Sequence, residues 1–161
     1  MTPLIVIFIV LSLAGSIMWV LPSRKDRDQM ALRLQARKLG LNVQLTSIDL
    51  PDKWDKTKET HKVAAYSYYH IKPLTSLSTS VWLLPYEVWK YESITEGWWS
   101  NRCLPLDQDE LKALKNYSTL ITAIKVAPEG VFLYWRESGD SESLNVLSAF
   151  IHKLAELKVV D

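Results

Sequence analysis

Residues 120–157, LITAIKVAPEGVFLYWRESGDSESLNVLSAFIHKLAEL, contain the two patterns that decide the fold. Two β-rich runs, 120–126 and 131–136, are separated by a short segment with turn-forming Pro and Gly, so they predict an antiparallel hairpin. After Asp140, apolar residues recur at helical spacing, at Leu144, Leu147, Phe150, Ile151, Leu154 and Leu157. This stripe predicts a C-terminal amphipathic helix that packs on the hairpin and closes the core.

Two segments nearer the N-terminus have strand character. Residues 42–50 alternate apolar and polar side chains, and residues 63–71 are rich in aromatic and β-branched side chains. The neighbouring segments 51–61 and 73–80 show no such periodicity. We expect both of these to be exposed loops.

A capping pair predicts one further helix. Asp107 and Glu110 stand three residues apart, as in a capping box, so a helix is expected over 108–116. The strands are adjacent in sequence and do not alternate with helices, which favours an α+β class with a mostly antiparallel sheet. We therefore expect a small soluble α+β domain over residues 41–161.

The overall composition excludes several classes of protein. Of the 161 residues, 48% are apolar, and 19 basic and 18 acidic side chains leave a net charge of +1. This balance is typical of a packed globular chain. It argues against a disordered chain and against a strongly basic nucleic-acid binder, so no nucleic-acid partner is expected. The single cysteine, Cys103, excludes an intrachain disulfide and a multi-cysteine metal site.

The N-terminus has the composition of a membrane segment. Residues 1–23 contain no ionisable side chain, and residues 4–21 approach the ~20 apolar residues that cross ~30 Å of hydrocarbon. A cleaved signal peptide is the alternative, but it would have a basic start and a shorter apolar centre. The sequence therefore predicts a transmembrane helix in residues 1–23 that contacts membrane lipid through residues 4–21.

A basic juxtamembrane helix is expected in residues 24–40, with Ser23 as its N-cap and Gly40 as its C-terminal stop. Its basic residues are Arg24, Lys25, Arg27, Arg33, Arg37 and Lys38. Because these charges follow the apolar segment and none precedes it, the positive-inside rule predicts an outside N-terminus and a cytoplasmic domain at a bacterial inner membrane. The helix either lies on anionic headgroups or is a solvated connector that packs on its own domain.

Aromatic residues are concentrated in the middle of the chain. Residues 66–99 contain nine of them. They are interpreted as structural core, as a protein-partner surface or as a platform for a small ligand or glycan. The candidates for a partner surface are Trp82, Tyr86, Trp89, Trp98 and Trp99.

The sequence lacks the motifs that carry common chemistries. It contains no phosphate-binding glycine loop, zinc-protease motif, calcium loop or nucleophile elbow. The acidic groups around Asp107 and Asp140 stand where helices are expected to begin, which explains them as caps. Cys103 is expected to be an inert structural thiol. Three histidines lack ligand spacing: His61, His70 and His152. We therefore expect a protein that is not an enzyme and holds no cofactor or metal.

About the first 45 residues resemble a known group of proteins. The apolar segment is followed by Leu21-Pro22-Ser23-Arg24, Leu32-Arg33-Leu34-Gln35-Ala36 and Gly40-Leu41-Asn42-Val43. In these residues the chain resembles small uncharacterised single-pass inner-membrane proteins of proteobacteria. In outline, with one N-terminal span and a cytoplasmic body, it is also similar to the small accessory subunit of the bacterial Sec translocase. The resemblance implies a membrane location and assigns no functional residue.

Three hypotheses of function follow from these patterns. The leading hypothesis is a non-catalytic, membrane-anchored interaction or scaffold protein whose aromatic region docks a protein partner at the membrane. The alternative is an accessory subunit of a membrane transport or protein-secretion complex, in which the N-terminal helix packs against other helices. A third hypothesis is a membrane-bound enzyme or ligand sensor with a cavity lined by Trp and Tyr.

Overall fold

The computed structural model describes residues 2–20, 23–73 and 77–157. The chain divides into two units, Met1–Ala31 and Leu32–Asp161, and each is described by itself. There are four helices in the described residues: α1 Thr2–Val20, α2 Arg24–Lys38, α3 Gln108–Tyr117 and α4 Ser141–Glu156. The same described residues form seven strands: β1 Asn42–Pro51, β2 Lys58–Tyr69, β3 Val81–Leu84, β4 Glu92–Thr95, β5 Trp98–Ser100, β6 Ile121–Ala127 and β7 Gly130–Trp135.

The N-terminal helix α1 is apolar on every side. Residues 3–17 are all exposed, with Phe8 at 75% and Leu4 at 70%. Within residues 2–20, 23–73 and 77–157, none of the helices is both long and apolar enough to cross a membrane. The expected transmembrane helix is therefore wrong: α1, as described over Thr2–Val20, does not meet the combined requirement of length and apolar character for a span. Leu21 and Pro22, which the expectation included, lie outside the described residues.

Helix α2 begins and ends at the residues that its sequence predicts. Ser23 Oγ accepts a hydrogen bond from the Asp26 N–H at 3.2 Å, and the Asp26 carboxylate accepts one from the Ser23 N–H at 3.1 Å. At the other end Gly40 has a φ of +82°, a left-handed conformation that glycine adopts without steric cost. The helix expected in residues 24–40 is present as Arg24–Lys38, and Leu32 and Ala36 are buried one turn apart.

All strands join one antiparallel sheet, in the order β1-β2-β7-β6-β3-β5-β4. The α+β class, the β6–β7 hairpin and the C-terminal helix α4 are confirmed. Asp107 accepts from the N–H groups of Asp109 and Glu110, and Glu110 accepts from the Asp107 N–H at 2.8 Å, so the predicted capping box of α3 is present. Asp140 caps α4 by accepting from the Ser143 N–H at 2.8 Å.

The main core lies between one face of the sheet and the helices. From the sheet, Tyr66, Leu133 and Trp135 are fully buried in it. From α4, the predicted stripe supplies Leu144, Leu147, Phe150, Ile151 and Leu154, with Leu157 partly buried beside them. The helical period of α4 and the alternation of β7 therefore meet in one apolar layer, as the sequence of residues 120–157 predicts.

Two parts of the sheet differ from the expectation. Residues 51–61 were expected to be a loop, but β2 begins at Lys58 because β1 pairs with it down to the Pro51–Lys58 pair. Only residues 52–57 form the turn, where the Asp52 carboxylate accepts from the Lys56 N–H at 2.7 Å. The charged side chains of Lys58 and Glu59 stay exposed, so the strand carries no apolar periodicity there. The second difference is the short strands of residues 81–100, to which no pattern assigns a strand.

Candidate functional site

The face of the sheet opposite the helices carries a second, smaller cluster, composed of Ile48, Leu50, Val63, Ala65, Leu84, Val88, Ala123 and Tyr134. No residue of a described helix belongs to it. We call this side of the sheet the open face. It is the region where large aromatic side chains are only half-buried, among them Trp82 and Phe132.

Strand register places these aromatic residues in neighbouring rows. Phe132 pairs with Lys125, and Lys125 pairs with Trp82, across three consecutive strands. Two residues after Phe132 in β7, Tyr134 pairs with Ala123 of β6. Because directly paired residues of antiparallel strands project from the same face, their side chains stand side by side.

Four rings and one cation form a continuous group, which we call the aromatic row: Tyr69, Phe132, Tyr134 and Trp82 with Lys125. Trp82 and Tyr134 stack with ring centroids 6.0 Å apart and planes 16° from parallel, and Tyr69 meets Phe132 edge-on at 5.5 Å. Lys125 Nζ lies 5.4 Å from the Phe132 ring centroid and 5.9 Å from that of Trp82. It also lies 3.6 Å from Glu129 Oε1. Cation–π attraction holds the lysine between rings that are fixed on paired strands.

A strap formed by residues 85–91 covers one end of the open face. Val88 is buried in the second cluster. Tyr86 Oη donates to the Pro51 carbonyl at 2.9 Å, and the Trp89 N–H donates to the Lys53 carbonyl at 2.8 Å. Burial raises the pKa of Tyr86 to about 12. The strap therefore ties the end of β3 to the end of β1.

The aromatic residues proposed from sequence do not share one environment. Trp82 is half-buried in the aromatic row, and Trp99 is half-buried opposite Leu84 on the same face. Tyr86 and Trp89 lie in the strap, where Trp89 is 58% exposed. Trp98 is fully buried on the helix side and donates from Nε1 to the Leu114 carbonyl at 2.9 Å, so it offers no surface to a partner.

Several residues of the aromatic row were not among those candidates. Phe132 and Tyr134 alternate in β7 with Val131, Leu133 and Trp135, which face the helices. The alternation of side chains along this strand, with a period of two residues, is the signal that could have assigned Phe132 and Tyr134 to the open face. Lys125 gives no signal of its own, because its place between two rings depends on the pairing of β6 with β3 and β7.

The basic residues proposed for a membrane surface also fall into two groups, which differ in their contacts. Arg24, Lys25, Arg27, Arg37 and Lys38 are exposed along α2. Arg33 differs, because its Nε and Nη2 donate to the two carboxylate oxygens of Glu137 at 2.7 and 2.6 Å. At Arg33, α2 therefore packs on its own domain, which is one of the two alternatives expected for this helix. The Arg33 guanidinium fixes α2 to the segment after β7.

Glu137 is the centre of a buried polar network on the helix side. Its side chain is 4% exposed, and it accepts a third hydrogen bond, from Tyr66 Oη at 2.9 Å. Burial, and next the hydrogen bond to Glu137, raise the pKa of Tyr66. With three hydrogen bonds to its oxygens, the carboxylate is satisfied, and the network joins α2, β2 and the chain that follows β7.

The described residues contain no group of three or more His, Cys, Asp and Glu side chains placed to hold a metal ion. Cys103 is exposed and not in a disulfide. Asp107, Glu110 and Asp140 act as caps, as their positions predict.

Comparison of the chain with protein-family models, with curated proteins and with solved structures finds no match. The resemblance to single-pass inner-membrane proteins therefore stays a prediction. The function has to be inferred from the geometry of the chain itself.

Proposed function

We propose that the chain is a non-catalytic interaction protein that docks a protein partner on its open face. The observation that supports this proposal is the aromatic row, in which the half-buried rings of Trp82 and Phe132 flank Lys125 on the sheet face opposite α3 and α4. Aromatic side chains contribute large contact areas and few rotatable bonds to protein interfaces.

The arrangement of the row defines the chemistry of the partner. Phe132 and Tyr69 offer apolar ring surface, and Lys125 supplies one cation whose side chain is 24% exposed. A complementary partner places an apolar side chain against the rings and a carboxylate near Lys125 Nζ. Because the rings are fixed by strand pairing and by each other, little side-chain entropy is lost on docking.

The acidic side chains support the non-catalytic part of the proposal. Asp107, Glu110 and Asp140 have structural hydrogen-bonding roles at helix N-termini. Glu137 is committed to Arg33 and Tyr66. A paired general acid and base would need carboxylates that are free to reach a substrate.

The apolar surface of α1 supports a second element of the proposal, which is contact with lipid. Leu4, Phe8 and Leu11 are 65–75% exposed, and residues 2–20 contain no charged side chain. Exposed apolar area costs roughly 25 cal/mol per Å² in water, so hydrocarbon is the cover that this composition fits. This proposal concerns lipid contact alone and implies neither a span nor an orientation.

The alternative function is an accessory subunit of a membrane transport or secretion complex, in which α1 packs on helices of other subunits. Small residues favour it, because Ser12, Gly15 and Ser16 would allow close helix approach, and a Cβ added at Gly15 would meet no atom within 4 Å. Scrambling residues 4–17 with the composition kept distinguishes the two functions. The scrambled chain should still float with lipid vesicles, whereas assembly through a specific helix contact should be lost.

In-cell photo-crosslinking tests the docking proposal. A photoreactive phenylalanine analogue at position 132 should give a reproducible crosslinked protein, and the same analogue at Tyr117 serves as the control on the helix side. The substitution Lys125→Glu should weaken the crosslink, whereas Lys112→Glu on α3 should leave it unchanged. An absent crosslink at position 132, or an equal loss with both charge reversals, would contradict the proposal.

A further inference from the structure

A cleft of about 670 Å³ lies at the end of the sheet where β1 ends and β2 and β6 begin. Its walls include Tyr86 and Pro85 of the strap, Lys62 and Val63 of β2, and Thr122 of β6. Arg136, directly after β7, completes the rim. The cleft is apart from the aromatic row, and its volume is within the range of 300–1,000 Å³ that is common for small-molecule sites.

A β-bulge places Thr122 in the wall of this cleft. The register of β6 against β7 shifts between Ile121, which pairs with Trp135, and Ala123, which pairs with Tyr134, so Thr122 is the extra residue. Bulges redirect a side chain and occur frequently beside functional sites. Thr122 Oγ1 is buried and has no hydrogen-bond partner within residues 2–20, 23–73 and 77–157. A buried hydroxyl without a partner is unfavourable, which points to a ligand that supplies one.

Two cations of the cleft also lack an acidic partner. Across the described part of the chain, no carboxylate is within salt-bridge distance of Lys62 or Arg136. The carboxylates of the cleft have other contacts. Asp52 accepts from the N–H groups of Lys56 and Thr57, and Glu59 lies 3.7 Å from His61 Nε2.

We propose that this cleft binds a small anion carrying a phosphate or carboxylate group. In this assignment Arg136 and Lys62 supply the positive charge, and the Thr122 hydroxyl donates a hydrogen bond to an anion oxygen. The planar guanidinium of Arg136 matches the geometry of both groups, because two of its N–H groups can donate to two oxygens. Hydroxyl groups of Ser118 and Thr119, which also line the cleft, offer further donors.

Isothermal titration calorimetry of the full chain tests the proposal, with inorganic pyrophosphate and citrate as the two probes. Saturable binding of pyrophosphate identifies the phosphate class, and saturable binding of citrate identifies the carboxylate class. Arg136→Gln should raise the Kd at least about tenfold, the effect of one lost charged partner, and Lys62→Gln should raise it by a smaller factor. Lys72→Gln, an exposed cation at the opposite end of β2, is the matched control and should leave the Kd unchanged.

Thr122→Val gives a second measurement that does not depend on charge. Removing an unpartnered buried hydroxyl should raise the Tm, while the lost donor should raise the Kd several-fold. Opposite changes in stability and affinity support a hydroxyl that is kept for a ligand. The proposal is overturned if neither probe binds saturably to the native chain, if Lys72→Gln weakens binding as much as Arg136→Gln, or if Thr122→Val leaves the Kd unchanged.

Discussion

Leu133 and Phe132 are neighbours in β7, but they face opposite sides of the sheet and have different surroundings. Leu133 is fully buried under the helices, whereas Phe132 is half-buried beside Tyr69 and Lys125. The helix side is closed by α4, and the strap covers one end of the open face. Under the proposed function, the two faces have different roles: the helix side provides stability, and the open face provides the contacts with a partner.

The largest expected effect is on the helix side, at the buried network. Glu137→Ala should lower the free energy of unfolding by about 3–5 kcal/mol, because it leaves the Arg33 guanidinium and the Tyr66 hydroxyl without their acceptor. Urea unfolding followed by tryptophan fluorescence measures this loss. Glu156→Ala, at an exposed position on α4, is the control and should change stability by less than about 0.5 kcal/mol. A loss below about 1 kcal/mol for Glu137→Ala would show that the network contributes little to the free energy of unfolding.

The next effect compares the two neighbours in β7 directly. Leu133→Ala should lower the free energy of unfolding by about 2–5 kcal/mol, because it opens a cavity in a fully buried site. Phe132→Ala should cost less, about 1 kcal/mol, because its ring is already half-exposed. The ranking should reverse for partner crosslinking when the photoreactive analogue replaces Tyr69, the neighbour of Phe132 in the aromatic row. Phe132→Ala should then lose the crosslink, and Leu133→Ala should retain it at temperatures where the variant is folded. If Leu133→Ala and Phe132→Ala lose the same amount of stability and of crosslinking, the two faces do not have separate roles.

A smaller effect should appear at alkaline pH on both sides of the sheet. Burial raises the pKa of Tyr86 and of Tyr134 to about 12 from 10.0, and it is also the main cause of the raised pKa of Tyr66. The unfolded chain ionises these groups first, so their contribution to stability is complete below about pH 10 and decreases toward pH 12.

Thermal unfolding at about pH 8 and about pH 11 checks this dependence. Tyr86→Phe should reduce the drop in Tm between the two values of pH, since one of the hydroxyls that ionises late is gone. An identical drop in the native chain and in Tyr86→Phe would show that Tyr86 makes no contribution to it.

The smallest expected effect is in the strap. Trp89 is 58% exposed, and its hydrogen bond to Lys53, in the turn after β1, uses a backbone N–H that remains after substitution. Trp89→Ala should therefore change the free energy of unfolding by no more than about 0.5 kcal/mol. Differential scanning calorimetry of this variant beside Trp98→Ala, whose fully buried ring should cost about 3–5 kcal/mol, sharpens the comparison. A loss of similar size in both variants would show that the strap belongs to the core.

The parts of the fold that sequence predicts correctly depend on contacts between near neighbours. The capping box at Asp107, the stop at Gly40 and the stripe of α4 are recognised within a few residues, and all three are present. The hairpin of β6 and β7 belongs to the same class, since its turn has Pro and Gly at short range. The apolar composition of α1 is also read from neighbouring residues, but the helix as described does not qualify as a membrane span.

The parts that sequence does not predict depend on register between distant strands. Lys58 and Glu59 form a strand only because β1 pairs with them, and nothing in their charged side chains indicates it. Trp98 and Trp99 are adjacent, yet one is core and the other is on the open face, a difference set by the pairing of β5 with β3. The aromatic row and the cleft require the sheet order β7-β6-β3, which no single segment specifies.

The pairing of β2 with β7 has a consequence for synthesis on the ribosome. Tyr69 of β2 pairs with Gly130, so roughly 60 residues must follow β2 before its second neighbour emerges. Until then the hairpin of β1 and β2 is a two-stranded unit, which is marginally stable in water. The part of the chain from residue 130 onward, about its last fifth, therefore completes folding. A nascent chain that stalls before residue 130 presents strand edges and aromatic side chains on which other chains can aggregate.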